Sequence, residues 1–147
     1  MIRTFDLIEF VPYYLPKAKA CGQWVMGRSG SYMRGFVAPE HAKPIIEYLR
    51  QRFGHRGREK VVFLQMWPGG VIRPHVDDFK QADFQYLLML QPAVSGGVLT
   101  LHFEGEDRPS PTKAGQCIGF DANTIRHSVT KVEEGSRYVL SVWFYKG

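Results

Sequence analysis

His75-Val76-Asp77 sets an imidazole and a carboxylate two residues apart. Side chains alternate along an extended chain, so the two share a face, and their nitrogen and oxygen donors suit a divalent first-row metal. Alone, such a pair is as well read as a surface loop following Pro74. A third donor, His127, begins a later apolar run, and Arg137 begins the next, ten residues on. Two neutral imidazoles and one carboxylate on one side of a metal leave the other side open, which suits redox iron. Structural zinc would want four protein ligands, usually with thiolates, and Cys21 and Cys117 lie far apart with no C-x-x-C pattern. The planar fork of Arg137 fits a carboxylate bidentately. Its alternative reading is a surface ion pair, but a cation that begins an otherwise apolar strand is costly to bury without an anion.

The elements that must position these groups are mostly short. Apolar or β-branched runs at 61–67, 71–76, 84–91, 98–103, 116–121, 125–132 and 137–145 predict seven strands. Pro68-Gly69-Gly70, Ser95-Gly96-Gly97, Ala122-Asn123 and Glu134-Gly135 are among the turns between them. Seven closely spaced strands predict a sandwich or barrel. The last run is apolar on both alternating faces, Val139, Trp143 and Tyr145 on one and Tyr138, Leu140, Val142 and Phe144 on the other, so it should lie between two layers. Ile45, Ile46, Leu49 and Phe53 recur at helical spacing, which predicts a helix over 39–53 capped by Gly54 and able to supply one covering layer. Upstream, residues 5–11 read as a strand ended by Pro12, and 16–35 as a long connection.

With 147 residues, 44% of them hydrophobic, the chain can bury one substantial core, and the expectation is a single domain over 1–147. Residues 1–58 would supply a strand, loop and helix, and 59–147 the barrel. The net charge of +5 comes from the N-terminal part: residues 1–60 carry 11 basic and 5 acidic groups, residues 61–147 carry 8 and 9. Arg50, Arg52, Arg56, Arg58 and Lys60 read as a solvated helix end and loop, so nucleic acid is not expected as a partner. The longest apolar run, Tyr86 to Leu90, is far short of a membrane span, and no charged-then-apolar leader is seen. Two scattered cysteines fit a reducing compartment, and the expected location is cytoplasmic.

Taken in order, several pieces form a specific set. Gln65-Met66-Trp67-Pro68-Gly69-Gly70 leads to His75-Val76-Asp77, and Leu87-Leu88-Met89-Leu90 pairs with Gly96 to Leu101. Gly115 to Phe120 is followed by His127, Val129, Val132, Gly135, Arg137 and Trp143. Over about residues 61–145 the sequence resembles the Fe(II)- and 2-oxoglutarate-dependent oxygenase superfamily, in spacing its prolyl 4-hydroxylase-like branch. The resemblance implies a mainly β double-stranded β-helix, a jelly-roll or cupin-like barrel with few helices and an N-terminal helix packed on one sheet. It implies that His75, Asp77 and His127 hold Fe(II), that Arg137 pairs with the distal carboxylate of 2-oxoglutarate, and that O2 is consumed, with ascorbate as a supporting reductant. The implied reaction hydroxylates an aliphatic carbon of an amino-acid, peptidyl (prolyl included) or small-molecule substrate and releases succinate and carbon dioxide. Halogenation is not expected, because Asp77 fills the coordination position it would need.

Departures from the family pattern leave the other cosubstrate contacts open. Trp67 stands where many prolyl hydroxylase relatives have a tyrosine that helps hold the cosubstrate. Tyr86 is a substitute, or else a core aromatic, and Gln65 and Ser141 are weaker ones. For the substrate, Arg28 or Arg34 could grip a carboxylate or backbone, or be solubilising loop charges. His102 could contact the substrate or be an ordinary strand histidine. The segments 27–32 and 78–83 could cover the opening. Alternatives are a cupin-type metalloenzyme without 2-oxoglutarate, whose usual motif has two histidines one residue apart and a later glutamate, and a non-catalytic jelly-roll binding module.

Overall fold

The computed structural model describes residues 2–27, 30–77, 82–110 and 113–146. Strand β1 (Ile2–Asp6) leads through a single 3-10 turn (Ile8–Phe10) into helix α1 (Val11–Lys19). A short hairpin follows, β2 (Trp24–Met26) and β3 (Met33–Phe36), then helix α2 (Pro39–Phe53). The remaining strands are β4 (Glu59–Met66), β5 (Ile72–His75), β6 (Ala82–Gln91), β7 (Ser95–Gly96), β8 (Leu99–Phe103), β9 (Glu106–Pro109), β10 (Gln116–Phe120), β11 (Arg126–Val129), β12 (Val132–Glu134) and β13 (Arg137–Tyr145).

The expected helix at 39–53 is present with Pro39 in its first turn and Gly54 closing it at φ 77°, a left-handed conformation that glycine adopts without steric cost. Two N-terminal expectations are corrected. Pro12 does not end a strand: it lies in the first turn of α1, where a missing N–H costs nothing because that donor would lack an intrahelical partner. The segment 16–35 is not one long connection either, since it holds the end of α1 and the strands β2 and β3. The short strands β7 and β9 also fall outside the seven expected runs, and β12 overlaps the run at 125–132 only at Val132.

A seven-stranded sheet runs in the order β1-β10-β6-β13-β4-β3-β2, and a four-stranded sheet in the order β5-β11-β8-β9, with β12 and β7 paired separately. All pairings are antiparallel. The chain before residue 59 thus joins the barrel itself: β1 extends the large sheet at one edge, β2 and β3 at the other.

The large sheet is buried on both faces. On one, Phe84, Tyr86, Leu88 and Leu90 of β6 and Leu140, Val142 and Phe144 of β13 pack with Ile45 and Leu49 of α2 and Tyr14 of α1. Full burial of a side chain such as Ile45 or Leu49 stabilises by roughly 1.5–3 kcal/mol. On the other, Leu87, Met89, Ile118, Phe120 and Val139 face Leu99, Leu101 and Val129 of the small sheet. The architecture is a double-stranded β-helix with helices on the outside of the large sheet. No described helix is long and apolar enough to cross a membrane.

Candidate metal centre and diacid pocket

The last residue of β5, His75, lies directly opposite His127 of β11 in the register of the small sheet, and their ring centroids are 4.4 Å apart. Asp77 follows β5, tied down by a hydrogen bond from its N–H to the Ala122 carbonyl (2.8 Å). Its Oδ1 stands 3.3 Å from His75 Nε2 and 3.4 Å from His127 Nε2, and one ligand atom of each residue lies within 4.8 Å of the others. Both imidazoles turn their Nδ1 to backbone carbonyls, His75 to Arg73 (2.8 Å) and His127 to Ile125 (2.9 Å). With Nδ1 donating, each Nε2 keeps its lone pair for a metal. The side chains of Asp77 and His127 are 11% and 8% exposed and that of His75 is 41% exposed, so the centre opens on the His75 side. The donor set fits a divalent iron with open positions.

Burial alone would raise the Asp77 pKa. Hydrogen bonds with His127 and His75, the charge of His127 and a hydrogen bond from Trp143 outweigh it and hold the carboxyl well below the usual carboxylate range. The same hydrogen bond with Asp77 is the main cause of a raised His75 pKa, against desolvation and the charge of Arg126. Trp143 Nε1 donates to Asp77 Oδ2 at 3.3 Å, leaving Oδ1 toward the histidines. Phe120 meets the His127 ring edge-on, with centroids 5.0 Å apart.

Arg137 begins β13 and its side chain is fully enclosed, the residue being 3% exposed. It shares the inward face with Val139 and Trp143 and lines a small cavity with Leu87, Met89, Leu99, Ser110, Gln116 and Thr4. Nη1 lies 3.7 Å from Met66 Sδ, and Nε has no hydrogen-bond partner. Gly97, at φ 66°, leaves room for this side chain: a Cβ there would come 3.3 Å from Arg137 Cδ. Burial pushes the guanidinium pKa down to about 10. A buried cation with an unused N–H beside a cavity fits an anionic ligand, and the fork geometry fits a carboxylate.

The structure brings His75, Asp77 and His127 together and sets Arg137 on the inward face, but it corrects three other assignments. Tyr86 points to the helix side of β6: its hydroxyl accepts from Arg3 Nη1 (2.7 Å) and meets His55 Nε2 (2.5 Å) amid Phe5, Phe53 and Phe144. Gln65 shares the outward face of β4 with Phe63 and donates to the Tyr138 hydroxyl (3.2 Å). His102 lies on the outer face of the small sheet, bonded to Asp107 Oδ1 (2.6 Å) and Ser128 Oγ (2.8 Å), not at the opening. Trp67 sits just past β4, where its carbonyl accepts from Gly70 N–H in the glycine turn. Arg34 is on the inward face of β3, opposite Leu64. Arg28, and residues 78–81 of the expected covering segment, lie outside the described residues.

Sequence reasoning missed two inward-facing groups. Trp143 was legible only as part of a pattern, although its parity with Arg137 places it on the site's face. Gln85 stands between Phe120 and Trp143 in the register, 4% exposed, donating from Nε2 to Ser141 Oγ (2.9 Å) with Oε1 unpartnered. A glutamine at an inward position of an apolar strand was the available signal.

The 2OG-Fe(II) oxygenase superfamily model matches residues 61–145. No curated protein matches the chain by sequence. Among solved structures, a prolyl-4-hydroxylase from Pseudomonas putida is similar with a TM-score of 0.81 at 17% identity, over 99% of this chain and 92% of that one. A prolyl hydroxylase from Trichoplax adhaerens, in complex with a hypoxia inducible factor oxygen degradation domain peptide fragment, has a TM-score of 0.82 at 12% identity, over 99% and 83%. A viral collagen prolyl hydroxylase from Paramecium Bursaria Chlorella virus-1, in complex with 2OG, has a TM-score of 0.72 at 16% identity, over 99% and 96%. At such identities the likeness is one of fold.

Proposed function

Because this chain belongs to the 2-oxoglutarate- and Fe(II)-dependent oxygenase superfamily, with Fe(II) as cofactor and 2-oxoglutarate and O2 as co-reactants, we propose that it hydroxylates an aliphatic carbon of a peptidyl substrate, prolyl residues included. The cofactor set supplies the oxidation: 2-oxoglutarate is cleaved to succinate and carbon dioxide, and a substrate C–H bond becomes C–O–H. The protein's own tasks are narrower. His75 and His127 present Nε2 because their Nδ1 atoms are held by backbone carbonyls, and Asp77 presents Oδ1 because Trp143 occupies Oδ2. Arg137 grips the distal carboxylate, and Leu87, Met89, Leu99 and Val139 wall the pocket against water.

The observation that carries this reading is the convergence of three ligand atoms from two paired strands of the small sheet and the segment after β5, across the barrel from a buried arginine of the large sheet that no described carboxylate pairs with. The structures of prolyl hydroxylases, one of them holding a peptide, support a peptidyl substrate over a free metabolite. A cupin enzyme without 2-oxoglutarate, or an inert binding module, would leave Arg137 a buried cation with no anion to bind.

The test is succinate release across proline-containing peptides, free amino acids and nucleosides, together with an anaerobic titration. Fe(II) plus 2-oxoglutarate should give a weak visible charge-transfer band, and Asp77→Ala should abolish both the band and succinate formation. Retention of either by that variant, or turnover confined to nucleosides, would overturn the reading.

A further inference from the structure

By strand alternation the inward face of β13 carries Arg137, Val139, Ser141 and Trp143 in turn. The first lines the small cavity and the last braces Asp77. Ser141 lies opposite Leu87 of β6, and Gln85 of β6 lies between two partners, Trp143 of β13 and Phe120 of β10. Both partners reach the candidate metal centre: Trp143 Nε1 donates to Asp77 Oδ2 at 3.3 Å, and the Phe120 ring centroid is 5.0 Å from that of His127. Gln85 is therefore the middle member of a row whose outer members touch two of the three candidate ligands.

This part of the sheet is dry. Gln85 is 4% exposed and Ser141 0%. The other inward residues of β4, β6 and β13 between Arg137 and Trp143 are apolar: Val139, Leu87, Met89, Leu64 and Val62. Gln85 Nε2 donates to Ser141 Oγ at 2.9 Å, while Oε1 is buried without a partner. An amide end left unpaired in apolar surroundings is destabilising, which points to a partner that the fold itself does not supply.

The chemistry of the pair narrows that partner. A hydroxyl both donates and accepts, so the carboxamide can lie either way round and keep its bond to Ser141. With Nε2 on Ser141, the free end accepts a hydrogen bond. Turned over, Oε1 accepts from Ser141, and Nε2 is free to donate to an anion. The diacid assigned above to Arg137 brings such an anion: with its distal carboxylate at Arg137, its 2-oxo acid end is directed past Val139 and Leu87 toward the three ligands. A carboxylate that spends one oxygen on a metal keeps the other for a donor.

We propose that Gln85, anchored by Ser141, donates a hydrogen bond from its amide to the carboxylate at the 2-oxo acid end of the cosubstrate, so that the large sheet holds the diacid at both ends. This rests on the oxygenase reading above and adds a second binding group to it.

The test is cosubstrate binding without turnover: 2-oxoglutarate is titrated into the Fe(II)-loaded protein under argon and the visible band is read, alongside thermal melts of the unloaded protein. Gln85→Met keeps the side-chain length and removes the amide. It should bind 2-oxoglutarate about tenfold or more weakly, the size expected of a hydrogen bond to a charged group. Its band at saturation should move, because the lost donor touched the end that meets the metal, and the unloaded variant should melt no lower than wild type. Gln85→Glu replaces the donor by a second anion and should bind more weakly still, the reverse of what a merely polar requirement would give. Ser141→Ala leaves the carboxamide in place without its anchor and should have a smaller effect in the same direction. Absence of the band in the wild type overturns the oxygenase reading. A wild-type band with unchanged affinity in Gln85→Met overturns only the Gln85 contact. So does Gln85→Glu binding as tightly as wild type. A Gln85→Met protein that melts lower and binds weakly with an unmoved band would also sink the contact, since the residue would then serve packing.

Discussion

The two faces of the large sheet are built from the same strands and treat their polar groups in opposite ways. On the helix side, polar atoms find partners: Tyr86 bonds Arg3 and His55, Gln65 bonds Tyr138, and the Tyr14 hydroxyl donates to the His41 carbonyl and accepts from Ile45 N–H. Arg3 also stacks its guanidinium over Phe53 and Phe84, with 4.4 and 4.6 Å to the ring centroids. On the inward side, Arg34, Gln85 and Arg137 each keep a buried polar atom without a partner. Native proteins rarely leave such atoms unpaired, so three on one face mark a surface made to meet something else. The helix face gives the fold its stability, and the inward face gives some of it up for binding.

Substitution at Arg137 should separate the faces most sharply. Arg137→Met removes a buried charge, so the protein without 2-oxoglutarate should melt no lower than wild type, and replacing buried ionic groups by apolar ones can stabilise by about 1–4 kcal/mol. Truncating one partner of a buried charge pair costs about 2–5 kcal/mol, so the KM for 2-oxoglutarate should rise from tens to several thousandfold. The rise in melting temperature that 2-oxoglutarate gives the wild type should vanish. A variant that melts lower and still binds the diacid would erase the distinction.

Trp143→Phe keeps an aromatic ring, though a smaller one, and deletes the hydrogen bond to Asp77 Oδ2. Loss of a group that orients a metal ligand lowers affinity by about 10- to 100-fold, measurable by Fe(II) titration under argon. The opposite face predicts the opposite pattern. Tyr86→Phe should lower stability by about 1–3 kcal/mol in urea unfolding, through the groups it leaves unpaired, with the KM for 2-oxoglutarate unchanged. A change in that KM would return Tyr86 to the site.

The smallest effect is one of pH. Asp77 raises the His75 pKa in the folded protein, so the folded state holds this proton more tightly than the unfolded state does. That contribution is complete below the ordinary imidazole value and is lost as pH rises through the folded one. In thermal melts of the metal-free protein it should fade across that window, and Asp77→Asn should flatten the slope.

These faces also show what was legible in the sequence. The candidate metal donors, which the structure brings together, were readable because an H-x-D pair, a distant histidine and an arginine ten residues later carry chemistry in their order. The helix at 39–53 and the two-sided burial of β13 were readable from periodicity. Tyr86 stayed open between cosubstrate contact and core aromatic because β6 is apolar on both faces, Leu87 and Met89 on one and Leu88 and Leu90 on the other, and the structure gives the core aromatic. Alternation says which residues travel together without saying which way they point. Gln65 has the same ambiguity. The contacts of Gln85 and Trp143 depend on registers between strands distant in the chain, which local patterns do not encode. Pro12 was misread because a proline that ends a strand and one that starts a helix look alike without the following turn.

Strand β13 holds Arg137 at its start and Trp143 six residues later on the same face, and is hydrogen-bonded to β4 on one side and β6 on the other. The span between the proposed grip on the diacid and the brace on Asp77 is therefore ruled off along one stiff rod. A slip of a single residue would swing Tyr138 and Phe144 inward and dismantle both ends together. Evolution can restyle the loops at the mouth freely, but it can alter the gauge between Arg137 and Trp143 only by recutting the rod itself.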